Sequence, residues 1–143
     1  MQKVMIINGP NLNLLGQRDP EIYGYDTLFD IEEQCKDFAD KNNMAIDFRQ
    51  SNSEGEIIDW IHEARNFNAV IINAAAYSHT SIAIMDALEI LTIPVIEVHM
   101  SNIYKRESFR YNSYVSKVAS GVISGFGAYG YIMALNSALE LTE

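Results

Sequence analysis

Short apolar runs of strand length alternate with stretches of helical period along the whole chain, and this alternation constrains the fold more than any other feature. Strand candidates are Lys3–Ile7, Ala45–Arg49, Ala69–Asn73, Val95–His99 and a short one at Gly121–Ser124. Helical spacing covers Thr27–Asn42, Glu54–Phe67, Thr80–Leu91 and Tyr129–Leu141. Ser53 stands three residues before Glu56, the spacing of a capping box, and Pro94 closes the third helix and opens the next strand. Strands that alternate with helices build βαβ units, so the expected class is α/β: an open parallel five-stranded sheet with helices on both faces. With 143 residues, no internal repeat, no low-complexity tract and no linker, residues 1–143 are expected to form a single domain with a real core.

A flavodoxin-like strand order is expected. In such sheets ligands bind outside the carboxyl ends of the strands. The chain concentrates polar residues there. The first strand runs into NGPNLNLLGQRDPEIYG, Asn8 to Gly24, where Gly9, Pro10, Gly16, Pro20 and Gly24 break regular structure and leave a long loop. A loop of this length in a small domain is a functional lid or a disordered stretch. This one carries Asn11, Asn13, Arg18 and Tyr23, which favours a lid over a site. The third strand ends in Asn73 and leads to Ser78 and His79; the fourth supplies Glu97, His99, Ser101 and Asn102. Any one of these loops alone reads equally well as a solvated connection with helix caps. Their convergence on one edge argues for a site.

Charge and cysteine content narrow the class. The formal net charge of −9 makes a poor nucleic-acid binder, because phosphate contacts need a basic surface. The single cysteine, Cys35, falls in a helical stretch, reads as a small apolar residue, and fits a reducing compartment. The opening MQKVMIING runs straight into a strand with no evident signal peptide, and no apolar run is long enough to cross a bilayer. A soluble, cytoplasmic protein without nucleic-acid or membrane partners is expected.

Within an acidic chain, Arg18 in the lid and Lys105, Arg106 and Arg110 after the fourth strand form local positive sites suited to an anionic small molecule. Taken alone, pairing of Arg106 and Arg110 with Glu107 explains two of them. Glu97 and His99 lie two apart on a strand and share a face. A carboxylate fixes the tautomer of a neighbouring histidine and favours its protonated form, which suits a general acid. A metal site is disfavoured, since neither His-Glu-x-x-His nor a cysteine pair occurs. A phenol becomes a useful base at neutral pH when a cation stabilises its phenolate, so a Tyr23–Arg18 pair under a closing lid is a candidate for proton abstraction. His79 either caps the helix beginning near Thr80 or binds ligand; His62 reads as a surface or interface residue. GFGAYG at Gly125–Gly130 fits the dinucleotide pattern GxGxxG, but only thirteen residues follow, too few for the second strand and its acid. Close helix–sheet packing explains those glycines better. There is no Walker motif and no GxSxG elbow.

Long segments in a fixed order, INGPNLNLLGQRDPEIYG, INAAAYSHTSIAIMDAL, VIEVHMSNIYKRESFR and GVISGFGAYGYIMAL, make the chain resemble the type II 3-dehydroquinate dehydratases essentially end to end. The resemblance implies a flavodoxin-like catalytic domain that eliminates water from 3-dehydroquinate to give 3-dehydroshikimate through an enolate, with no metal, cofactor or Schiff-base lysine. It implies Tyr23 as base and Arg18 as its activator, Asn11 as enolate stabiliser through a bound water, and His99 as general acid oriented by Glu97. Asn73, His79 and Arg110 match residues that hold substrate hydroxyls. Ser101, with the backbone at Met100 and Ser101, matches the carboxylate site, Arg106 a lid-contacting arginine, and Asp86 an acid that reaches a neighbouring subunit's site. Family members are dodecamers built from trimers. Ala74 departs from the proline of many relatives, Ala75 from the glycine of some, and Met85 from the arginine of several. Two other classes remain: a flavodoxin-like module that binds flavin or nucleotide, and a scaffold whose polar edge is an oligomer interface.

Overall fold

The computed structural model describes residues 1–142. Five parallel strands, β1 (Gln2–Asn8), β2 (Met44–Gln50), β3 (Ala69–Asn73), β4 (Val95–His99) and β5 (Gly121–Ser124), form one sheet in the order β2-β1-β3-β4-β5. This is the flavodoxin-like order. The helices are α1 (Pro20–Tyr23), α2 (Leu28–Lys41), α3 (Glu54–Glu63), α4 (Ile82–Glu89) and α5 (Tyr129–Thr142).

Strand alternation sorts the core into two layers. Val4, Ile6, Ala69, Ile71, Ile96 and Val98 pack with Ile31, Cys35 and Ala39 of α2 and with Tyr131, Ala134 and Leu135 of α5. The intervening residues Met5, Ile7, Val70, Ile72 and Val95 pack with Ile57 and Ile61 of α3 and with Ile84 and Leu88 of α4. Strands β1, β3 and β4 are covered on both faces, and their near-continuous apolar sequences follow from that.

Caps set the helix starts. Thr27 Oγ1 accepts from the Asp30 N–H at 3.1 Å while the Asp30 carboxylate accepts from the Thr27 N–H at 3.0 Å, a full capping box on α2. Ser53 forms only half of the expected box: its Oγ accepts from Glu56 N at 3.3 Å, while its own N–H donates to Ser51 Oγ at 2.9 Å. The helix expected to reach Phe67 ends as α at Glu63 and tightens into a 3-10 turn over Ala64–Asn66. The helix expected from Thr80 starts at Ile82, because Ser81 is its cap and accepts from Ile84 N at 2.9 Å.

Two glycines are fixed by close approach. A Cβ on Gly9 would lie 2.4 Å from the Ala74 carbonyl oxygen, so the chain leaving β1 passes the chain leaving β3 only without a side chain there. A Cβ on Gly130 would sit 3.4 Å from Val98 Cγ1 and 3.6 Å from Ile123 Cγ2, which bears out helix–sheet packing at the end of GFGAYG.

Candidate active site

The sheet register places Asn8 beside Asn73 and His99 beside Ser124, so β1, β3 and β4 end together at one edge. Between β1 and β3 the strand order reverses, the position at which such sheets open a crevice. A cavity of about 190 Å³ lies there. Asn11, Arg18 and Tyr23 line it from the segment after β1, Asn73 and His79 from the end of β3, and His99, Met100, Ser101, Arg106 and Arg110 from β4 and beyond.

The segment from Asn8 to Gly24 is more ordered than a bare loop. Leu12 and Leu15 are buried in the α2/α5 layer, a 3-10 turn spans Leu12–Leu14, and Pro20 opens α1 at a position where its missing N–H has no helical acceptor. Asn52, just past β2, anchors the segment by accepting from the Asn11 N–H at 2.9 Å. Asn11 and Asp19 adopt φ of 70° and 40°, values that Asn and Asp tolerate better than other side chains. Leu15 and Leu12 thus pin a covering segment whose far end carries Arg18 and Tyr23.

Tyr23 meets two guanidinium groups. Arg106 Nη1 donates to the Tyr23 hydroxyl at 2.8 Å. Arg18 lies over the Tyr23 ring, 5.3 Å from its centroid. The sequence reading paired Tyr23 with Arg18; in the fold, the hydrogen bond to the phenol oxygen comes from Arg106, because α1 turns that oxygen toward the β4 side. Arg106 and Arg110 also both lie near Glu107, at 3.8 and 3.2 Å, so ion pairing and pocket lining coexist in the same side chains.

On β4 the two-residue spacing sets Glu97 and His99 on the α3/α4 face. His99 Nε2 engages the Glu97 carboxylate, and Glu97 is fully buried. Burial alone would push the Glu97 carboxyl up; the His99 contact and the hydroxyls of Ser113 and Ser116 outweigh it and hold the group below the ordinary carboxylate range. With Nε2 taken, Nδ1 is the ring nitrogen left for a substrate. The His79 ring stacks on that of His99 at 6.0 Å. His79 Nδ1 lies 2.9 Å from the Asn112 carbonyl, and burial pushes this imidazole down from its usual value. It lines the cavity and does not cap α4.

Asn73 is buried and its amide is already engaged. Its Nδ2 donates to Tyr131 Oη at 3.0 Å and its Oδ1 accepts from Ala75 N at 3.2 Å. Tyr131 Oη in turn donates to Asn8 Oδ1 at 2.6 Å. Tyr131, Ser113, Ser116 and Asn52 support the site, and the sequence reading singled out none of them. Three polar residues it did single out at the strand ends do not line this cavity: Ser78 is buried, Asn102 caps the turn at Ile103–Lys105, and Asn13 lies exposed beside Gln50. Asp86 sits on the exposed face of α4, outside this cavity. Among the described residues, no group of three or more His, Cys, Asp or Glu side chains could hold a metal ion, and no helix is long and apolar enough to cross a membrane.

Fold and site together define a flavodoxin-like α/β protein with an anion-ready pocket in which a phenol and a carboxylate-backed imidazole face one cavity. The family model for class II dehydroquinases matches residues 2–139, and the chain belongs to that family. It is 59% identical over 140 residues to the 3-dehydroquinate dehydratase of Streptomyces coelicolor, covering 96% of this chain and 89% of that protein. It is 53% identical over 141 residues to 3-dehydroquinate dehydratase 2 of Pseudomonas aeruginosa, covering 98% and 95%. The crystal structure of the type II dehydroquinase of Butyrivibrio crossotus superimposes with a TM-score of 0.95 at 42% identity, covering 96% of this chain and 97% of that one.

Proposed function

We infer that this chain is a 3-dehydroquinate dehydratase, a hydro-lyase that removes water from 3-dehydroquinate to give 3-dehydroshikimate in the shikimate pathway of aromatic amino acid biosynthesis. The observation that carries the reading is the pairing across one cavity of Tyr23, hydrogen-bonded by Arg106 and covered by Arg18, with His99 backed by the buried Glu97.

The chemistry follows from these groups. A proton on carbon next to a ketone is weakly acidic, so its removal needs a base and a stabilised enolate. Tyr23, as phenolate beside two guanidinium groups, takes the proton, and the electron pair moves onto the ketone oxygen. Asn11, through a bound water, stabilises the enolate, the preorganised electrostatics that supplies much of many rate enhancements. The enolate re-forms the ketone and expels the β-hydroxyl, which His99 protonates from its free ring nitrogen. Water leaves, the new double bond is conjugated with the ketone, and no oxidant or reductant is involved. Asn73, His79 and Arg110 hold substrate hydroxyls. Ser101, with the backbone at Met100 and Ser101, receives the carboxylate, and Arg106 contacts the covering segment. No metal or cofactor has a part in this scheme.

The single domain is the catalytic unit, it works in the cytoplasm, and it assembles as a dodecamer built from trimers in which Asp86 approaches a neighbour's site. Exposed Phe29, Tyr104, Phe109, Phe126 and Tyr129 support an assembly, since a monomer gains nothing from that much exposed aromatic surface. The test of function is the near-ultraviolet absorbance of the conjugated enone on adding 3-dehydroquinate. A rise that persists with a chelator, and after borohydride treatment in the presence of substrate, is expected. Folded protein that gives no rise would remove the dehydratase reading.

A further inference from the structure

Glu97 has two carboxylate oxygens and a buried position, and His99 engages only one of them. The other partners come from the connection between β4 and β5. Ser113 Oγ donates to Glu97 Oε2 at 2.5 Å, the oxygen that His99 also meets, and Ser116 Oγ donates to Glu97 Oε1. Between these two serines stands Val115, fully buried against the α3/α4 layer, which seats the turn Val115–Lys117 and both hydroxyls at a fixed distance from β4. The Ser113 hydroxyl also accepts from Ser116 N at 3.4 Å, so the two residues hold one another as well as the carboxylate. A buried carboxylate held on both oxygens cannot rotate away from its imidazole, and donors to its charged form favour that form.

We propose that Ser113 and Ser116 are positioning residues for the general acid: their hydroxyls fix both oxygens of Glu97 and thereby aim the carboxylate at Nε2 of His99. The proposal rests on the reading of His99 as the proton donor. Neither serine lines the cavity, so neither touches substrate, and their effect passes through Glu97. The other titratable and charged groups around the pair are His79, whose ring stacks on His99, and Arg110, which acts on His79 from across the cavity; Tyr23, Arg18 and Arg106 face it from the covering side. Among the described residues, only the two serines and His99 bond to the Glu97 carboxylate.

The experiment compares kcat and KM across pH for Ser116→Ala, Ser113→Ala and the double variant, with Ser116→Thr and His99→Ala alongside. A hydroxyl that favours the ionised carboxylate lowers the pH at which Glu97 takes up a proton. Its loss therefore moves the acidic limb of kcat to higher pH, by about one unit per hydroxyl. Ser116→Ala is expected to lose about ten-fold in kcat near the acidic limb with KM little changed, the double variant more, and Ser116→Thr to recover the wild-type limb. Ser116 is exposed, so its alanine variant retains the fold and gives a reading even if Ser113→Ala does not fold. An acidic limb in Ser116→Ala that superimposes on wild type, while His99→Ala is inactive, would overturn the proposal. A His99→Ala enzyme within ten-fold of wild type would overturn the general-acid reading itself, and the serine assignment with it.

Discussion

The two sides of the cavity are built in opposite ways. The β4 side is an extension of the core: Glu97 and His99 lie on a strand buried on both faces, and every polar atom of the carboxylate is engaged. The facing side is a covering segment, pinned by Leu12 and Leu15 but carrying Tyr23 on a four-residue helix without a single buried side chain, with Arg18 just before that helix. On the proposed roles, the acid His99 is therefore set by the fold, whereas the base Tyr23 is set by a segment with few buried contacts. Such a division suits an enzyme that must admit substrate and then exclude water, since the element that moves should be the one with the fewest buried contacts.

Substitutions can break or sharpen that contrast. Tyr23→Phe and His99→Ala should each lose about 100- to 10,000-fold in kcat, followed by enone absorbance. Near-normal turnover in either would remove that residue from its role. Thermal melts should then separate the two sides, with Tyr23→Phe leaving Tm almost unchanged and Glu97→Ala lowering it clearly. Arg18→Lys should also be severe, because an ammonium cannot reproduce a guanidinium seated over the ring, and Arg106→Ala should be worse, because it removes the bond to the phenol oxygen. An Arg106→Ala enzyme faster than Arg18→Lys would reverse the order assigned to the two arginines.

Smaller effects fall on stability. Tyr131→Phe strips partners from the buried amides of Asn8 and Asn73, and should cost about 3 kcal/mol in chemical denaturation. Ala75→Gly should gain about 1 kcal/mol, because Ala75 sits at φ 52°, where an L side chain is strained and glycine is not. A neutral or destabilising result would mean that the Ala75 methyl packs well enough to offset its backbone. The pH dependence has a definite sign on both flanks. His79 is held below its usual value, so the unfolded chain binds its proton first and stability falls as pH drops below about 6.5. Burial first, then Glu32, pushes the Cys35 thiol up to about 12, so stability present below pH 9 is lost as pH rises towards that value. Denaturation midpoints measured from pH 5 to 11 should trace a plateau between the two.

Much of this was legible in the residues. Strands β3, β4 and β5 lie where the apolar runs put them, and β1 and β2 extend one residue further at each end, because ladder pairing continues past the last apolar side chain. Helix ends were less legible: Ser81 and the half-formed box at Ser53 are decided by which neighbour claims a hydroxyl, and spacing alone does not show that. The stretch between β4 and β5 was opaque. It folds as three short 3-10 turns, at Ile103–Lys105, Ser108–Arg110 and Val115–Lys117, too short to carry any period. That is why Ser113 and Ser116 went unnoticed while Glu97 did not. The Tyr23–Arg106 bond spans 83 positions, and no local pattern encodes it.

The Asn8–Tyr131–Asn73 bridge also orders events in time. Asn8 leaves the ribosome 123 positions before its hydroxyl partner, which lies on α5. Until α5 docks, Asn8 Oδ1 and Asn73 Nδ2 at the mouth of the sheet lack the hydroxyl that bridges them, and the edge proposed to receive substrate is unfinished. A growing chain can pair its first strands early, yet it completes this rim only after α5 has been made, when loop closure over the 123 positions between Asn8 and Tyr131 has been met.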